Sequence, residues 1–157
     1  MNLPQEKDMK IAYYSIANPL SHDKIDRLAR FLHRELEQYG DPEESIRKAI
    51  EYALDDPQNG RGGHVAIATE NGKTIGAAVV NRTGMEGYIP ENILVYIAVH
   101  RDFRGQKFGK RLLSSVIYET EGAIALHVEP DNPAFYLYRN LGFGNKYVEM
   151  RLDRRDI

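Results

Sequence analysis

Two glycines four residues apart, Gly105 and Gly109, stand among Arg104, Lys107, Lys110 and Arg111. Glycines at the start of a helix let several backbone N–H groups converge on an anion, and the helix dipole adds a favourable field. The flanking guanidinium and ammonium groups add charge-assisted hydrogen bonds, so the natural guest of such a cradle is a di- or triphosphate moiety. The run Val95–Leu113 that contains it does not fit the common alternatives. Its glycines are too close together for the G-x-x-x-x-G-K-[ST] of a P-loop and no Ser or Thr follows Lys110, and G-x-G-x-x-G cannot be written across it, which removes the nucleotide triphosphatase and dinucleotide readings. Taken alone, the run also reads as a tight strand-to-helix turn with solvated cations, and only its surroundings decide between the two.

A phosphate cradle needs a buried strand in front of it and a helix behind it. Asn92–Val99 is almost wholly apolar, as expected for the strand in the middle of a sheet covered on both faces. Phe108, Leu112, Leu113, Val116 and Ile117 give the apolar stripe of the following helix. Upstream, residues 11–16 predict a first strand. Ser21 is an N-cap for a helix with Ile25, Leu28, Leu32, Leu36 and Tyr39 on one side and Gly40 at its end. Asp41-Pro42-Glu43-Glu44 supplies a cap acceptor, a first-turn proline and a carboxylate for a second helix. His64–Thr69 and Lys73–Asn81 flank Asn71-Gly72, the dipeptide of a type I′ hairpin. Arg82–Pro90 is an exposed loop of the kind that touches substrate. Ala123–Val128 predicts a strand, Pro133–Asn140 a short helix, and Tyr147–Leu152 a last strand. The order specifies an α/β (α+β) domain, a mixed central sheet flanked by helices, and no repeat or linker divides residues 1–157.

Composition narrows the chemistry further. In 157 residues, 42% hydrophobic and 28% charged, there is enough apolar surface for one core. The absence of cysteine removes disulfides, thiolate metal sites and a cysteine nucleophile, and no metal site is expected. No stretch approaches the roughly 20 apolar residues that span a bilayer, and the first nine residues hold Glu6, Lys7 and Asp8 where a leader would be apolar, so a cytoplasmic location is expected. With 21 basic and 23 acidic residues and no long basic block, nothing points to nucleic acid.

Two motifs carry a family resemblance. Arg104, Gln106, Phe108 and Gly109 fall in register with Q/R-x-x-G-x-G/A, the acetyl-CoA signature of the GNAT acetyltransferase superfamily. Lys107 stands where that family usually has its first glycine, and a side chain there calls for a negative φ. Downstream, Ala134, Tyr138 and Gly142-Phe143 are similar to N-x-x-A-x-x-x-Y-x-x-x-G-F, with Asp131 at the strict asparagine position and Asn132 beside it; either residue can face CoA. The element order resembles the family over nearly the whole chain, and specific residues match from about Ile93 to Phe143.

The resemblance implies splayed fourth and fifth strands and acetyl-CoA as co-substrate. It implies that Ile97, Ala98 and Val99 hold the pantetheine arm, with a bulge near Ile97 or Ala98 aiming an N–H at the thioester oxygen. Arg104, Gly105, Gln106, Lys107, Phe108, Gly109 and Lys110 would then meet the diphosphate, and Asn132 would contact CoA. Tyr138 is implied as the acid for the departing thiolate, since a phenol of pKa near ~10 keeps its proton at neutral pH. Glu91, sharing the pleat parity of Ile93, Val95 and Ile97, is the candidate general base. His127 is a second candidate, and both also read as ordinary strand residues. Glu35, Glu37 and Tyr39 could meet the acceptor or simply be solvated. The acceptor implied is a primary amine, a small molecule ahead of a peptide. A non-catalytic acyl-CoA sensor or a structural module is the competing class. The chain ends fourteen residues after Phe143, so the last hairpin is expected to be truncated or completed by a partner, and a homodimer is expected on that ground.

Overall fold

The computed structural model describes residues 9–156, which fall into two compact units, one up to Leu126 and one from His127 onward. The first unit runs β1 (Lys10–Tyr14), α1 (His22–Leu36), a 3-10 turn (Glu37–Tyr39), α2 (Glu43–Ala53), β2 (Gly63–Glu70), β3 (Lys73–Arg82), β4 (Asn92–Val99), α3 (Phe108–Glu119) and β5 (Ile124–Ala125). Its strands form one sheet in the order β1-β2-β3-β4-β5, antiparallel except for the parallel β4–β5 pair.

Local chemistry explains most of these elements. The Ser21 side chain accepts from the Lys24 N–H at 3.3 Å and starts α1, whose Ile25, Leu28 and Leu32 are buried. Asn71 and Gly72 have φ of 49° and 77°, the two positive values that a type I′ turn requires, and the β2–β3 hairpin closes on them. Asp41 departs from expectation. The residue before α2 is Pro42, which makes no side-chain cap bond, and the Asp41 carboxylate instead accepts a 2.5 Å hydrogen bond from the Tyr96 hydroxyl. A buried phenol needs a partner more than a solvated helix end does.

The middle of the sheet is β3 rather than the expected Asn92–Val99. Residues 75–80 of β3 are all buried, whereas β4 alternates buried with half-buried positions. The reason is β4's outer neighbour. The expected strand Ala123–Val128 forms a ladder only over Ile124–Ala125, so among the described residues most of β4 has a partner on one side alone. Helices α1 and α2 cover one face, packing with Val65, Ala77, Val79, Tyr96 and Ala98, while α3 packs on β3 and β4 with Phe108, Leu112, Leu113 and Val116 buried.

The second unit contains α4 (Ala134–Asn140) and a 3-10 turn (Arg154–Asp156). The expected strand Tyr147–Leu152 is absent: these residues enter no ladder among the described residues, and Tyr147, Val148, Met150 and Leu152 are exposed. An alternating apolar pattern is not enough for a strand whose backbone groups find no partner strand.

Candidate active site

Strand β4 is irregular at its midpoint. Val79 lies opposite Tyr96 and Val80 opposite Leu94, so Val95 is an extra residue in the ladder. The bulge therefore sits at Val95, not near Ile97 or Ala98 as the family resemblance implied. It has a consequence for side-chain direction. Val79 belongs to the α1–α2 core and Val80 points the other way, so Leu94 and Tyr96 face opposite sides although they are two residues apart. Glu91 and Ile93 consequently do not share a face with Ile97, which corrects the parity expected for the candidate base.

On its outer edge β4 pairs with β5 only at Asn92↔Ile124 and Ile93↔Ala125. From Leu94 to Val99 no strand among the described residues pairs with that edge, so the two strands part after one short ladder. A half-open strand of this kind offers backbone N–H and C=O groups to an extended ligand chain.

At its end β4 leads into the expected loop. Arg101–Phe103 make a 3-10 turn, Gly105 has φ of 75°, and Lys107, the residue before α3, has φ of 67°. The expectation of a negative φ at Lys107 fails. The loop takes the conformation a glycine would favour and imposes it on a lysine, at a cost of about 1–2 kcal/mol. The Lys107 side chain makes no cap bond to α3, whose first backbone bond runs from Arg111 N–H to the Lys107 carbonyl at 3.1 Å. The N–H groups of the first turn are thus directed at whatever occupies the loop. Lys107 and Lys110 are exposed beside it, and Gln106 is tied back by a 3.3 Å bond from Nε2 to the Asp102 carbonyl. The Phe108 side chain is buried edge-on to Phe103, so only its backbone is available to a ligand.

The Arg104 guanidinium, expected at the phosphates, is engaged elsewhere. It donates from Nε to the Val99 carbonyl at 3.1 Å, from one terminal nitrogen to Glu37 at 3.3 Å, and from the other to the Glu35 carbonyl at 2.6 Å and carboxylate at 3.3 Å. The Glu35 carboxylate, fully buried at the end of α1, also accepts from Arg34 Nε at 3.0 Å and from the Arg101 N–H at 2.9 Å. The Arg101 guanidinium and His100 ring lie 3.5 and 4.0 Å away. Burial alone would raise its pKa; the hydrogen bonds from Arg34 and the Arg101 N–H, with the nearby positive charge, outweigh burial and hold it below the usual value. Glu35 is thus neither solvated nor turned toward an acceptor, the two places its charge suggests in the sequence. The available signal was its spacing, three residues after Leu32 on the apolar stripe.

Glu91 clamps the β4–β5 junction. Its carboxylate accepts the Ala123 N–H at 2.6 Å, and backbone donors, its own N–H first and then that of Ala123, keep its pKa below normal. In the second unit, Tyr138 is buried on α4 with its ring edge-on to Phe143, and burial pushes its phenol up to about 12. The Asn132 side chain accepts the Ala134 N–H at 2.9 Å at the entry to α4, while Asp131 and His127 are exposed. Among the described residues no group of three or more His, Asp or Glu could hold a metal ion, and no helix is long and apolar enough to cross a membrane.

Comparison with known proteins agrees with this geometry. Residues 61–144 match the acetyltransferase (GNAT) domain profile, more than half of the chain. No curated protein matches the chain. An aminoglycoside N-acetyltransferase solved in complex with CoA superposes with a TM-score of 0.65 at 19% identity, covering 98% of this chain and 99% of that one. A ribosomal-protein-alanine N-acetyltransferase from Brucella melitensis superposes at 0.61 and 16% identity, covering 93% and 99%. An aminoglycoside acetyltransferase from an uncultured soil sample, in complex with sisomicin, gives 0.62 and 17%, covering 92% and 95%.

Proposed function

Because the chain belongs to the GNAT acetyltransferase family and is therefore an acyltransferase using acetyl-CoA, we propose that it moves the acetyl group directly to a primary amine, a small molecule ahead of a protein N-terminus or lysine. The observation that carries this is the half-open edge Leu94–Val99 running straight into the start of α3, where the Lys107 side chain makes no cap bond. That combination fits an extended amide-bearing arm ending in a diphosphate. The main chain of Ile97, Ala98 and Val99 would hold the arm, and the backbone from Gly105 to Lys110 the diphosphate, with the Lys107 and Lys110 ammonium groups adding charge. Acetyl-CoA supplies the acyl group already activated as a thioester, so no cysteine is needed on the protein.

The chain's own residues then have three tasks. A backbone N–H at the bulge, where Val95 is the extra residue of the ladder, would serve as a preorganised donor for charge developing on an acyl oxygen. Tyr138, whose phenol retains its proton throughout the neutral range, donates to the leaving sulfur. Glu91, ionised and anchored at the strand junction, accepts the amine's proton through water. Asn132 contributes from the start of α4. The aminoglycoside acetyltransferases among the structural neighbours support a small cationic amine, and the ribosomal-protein enzyme defines the competing acceptor. The reading includes a cytoplasmic location, one catalytic domain over residues 1–157, and a homodimer, the last testable by light scattering.

Calorimetric titration of CoA into the wild type and a Gly109→Asp variant tests the reading. Micromolar binding that the aspartate abolishes is the expected result, followed by thiol release from acetyl-CoA in an amine panel. An absence of binding by the wild type would overturn it.

A further inference from the structure

We propose that Glu35 is a positioning residue of the acyl-CoA loop, acting on the ligand only through Arg101 and Arg104. The inference rests on the cofactor reading above and assigns a function to a helix that reading leaves aside. The loop between β4 and α3 holds two consecutive-but-one residues at positive φ, Gly105 and Lys107, and the second is strained. A strained loop persists only if something outside it fixes its shape. Here the fixed points lie three residues apart. The Arg101 N–H is held by one oxygen of Glu35, and Arg104 is held by the same carboxylate, by the Glu35 carbonyl and by Glu37, while its Nε spans back to Val99. The anchor is rigid because the Glu35 side chain is fully buried and Arg34 takes its other oxygen.

Electrostatics makes the inference testable by sign. If Glu35 acted on the phosphates by its field alone, removing its negative charge would tighten binding of a polyanion. If it positions the loop, removal must weaken binding. Glu35→Gln keeps size and one acceptor but loses the second strong one. Arg104→Lys keeps the charge but not the planar fork that spans Val99, Glu35 and Glu37.

The experiment is titration of CoA and of S-acetylpantetheine, which lacks the diphosphate, into wild type, Glu35→Gln, Arg104→Lys and the double variant, with thermal unfolding of each. The expected result is CoA binding weaker by about tenfold in either single variant, the scale of a lost charge-assisted hydrogen bond. The double variant should be little worse than either single one, because both remove one strut. S-acetylpantetheine binding should not change. Equal or tighter CoA binding by Glu35→Gln overturns the inference and leaves the cofactor reading standing. Weakening of both ligands together shows general damage and also overturns it. If the wild type binds no CoA, the cofactor reading falls and takes this inference with it.

Discussion

A lysine held at φ of 67° is an unusual choice at the entrance to a helix, and its energetics can be separated from its charge. Lys107→Gly removes an αL penalty of about 1 kcal/mol or more, partly offset by the greater freedom of glycine in the unfolded chain. Urea denaturation should show a net gain of about 0.5 kcal/mol, whereas Lys107→Val, β-branched and less tolerant of positive φ, should lose about 1–2 kcal/mol. Equal stability of the two variants would mean that the loop relaxes freely. Tyr138 supports a second test. Its folded pKa is pushed up to about 12, above the ordinary value near ~10 of the unfolded chain. The buried neutral phenol thus contributes stability that is complete below pH ~10 and is lost as pH rises toward 12. Tyr138→Phe should flatten the fall in stability over that window in alkaline unfolding curves, and, if Tyr138 is the acid, should lower kcat with little change in KM. The sequence singled out both residues through motif register. It could not give the sign of φ at Lys107, because that angle is set by how the loop closes on its anchors.

At the scale of elements, the bulge in β4 is what sequence could not place. Ile93-Leu94-Val95-Tyr96-Ile97-Ala98-Val99 is apolar throughout, so no alternation marks where the faces exchange. Deleting Val95 would restore an even ladder and turn either Leu94 or the pair Tyr96 and Ala98 to the wrong face, an expected loss above about 3 kcal/mol by the scale of large core deletions. Val95→Ala keeps the extra residue and should cost no more than about 1.5 kcal/mol. Denaturation of the two variants checks the contrast, and similar losses would show that the bulge is incidental. The attachment of α1 to the β4–α3 loop has its own pH signature. Glu35 has a folded pKa below its unfolded value, so its contribution is present above about pH 4.5 and disappears as pH falls through the folded pKa. Amides of residues 101–108 should lose exchange protection on acidification before those of β3, and Glu35→Gln should show the unprotected loop already at neutral pH. The start of α1, the hairpin and the order of elements as far as α4 were legible because caps, a turn dipeptide and helical periodicity are local signals, whereas the end of α1, at Leu36 instead of beside Gly40, and the absence of a strand at Tyr147–Leu152 were not. Asp41 misled as a cap because its partner Tyr96 is 55 residues away in sequence.

For the molecule as a whole, formal net charge is −2, so at long range it repels a polyanion such as CoA. Attraction has to come from the local set Lys107, Lys110 and Arg111 at the start of α3, all exposed. These charges act over less than a Debye length, about 10 Å at 0.1 M salt, and Arg104 is withdrawn from them by Glu35 and Glu37. CoA affinity should therefore fall with salt, by about tenfold between roughly 50 and 500 mM, because exposed charges are screened while backbone N–H donors are not. Lys110→Gln should reduce both the affinity at low salt and the steepness of that fall, and the two titrations should converge at high salt. A flat response in the wild type would mean that the helix start and the edge of β4 bind CoA by hydrogen bonds alone, and that the lysines beside them are solvated surface.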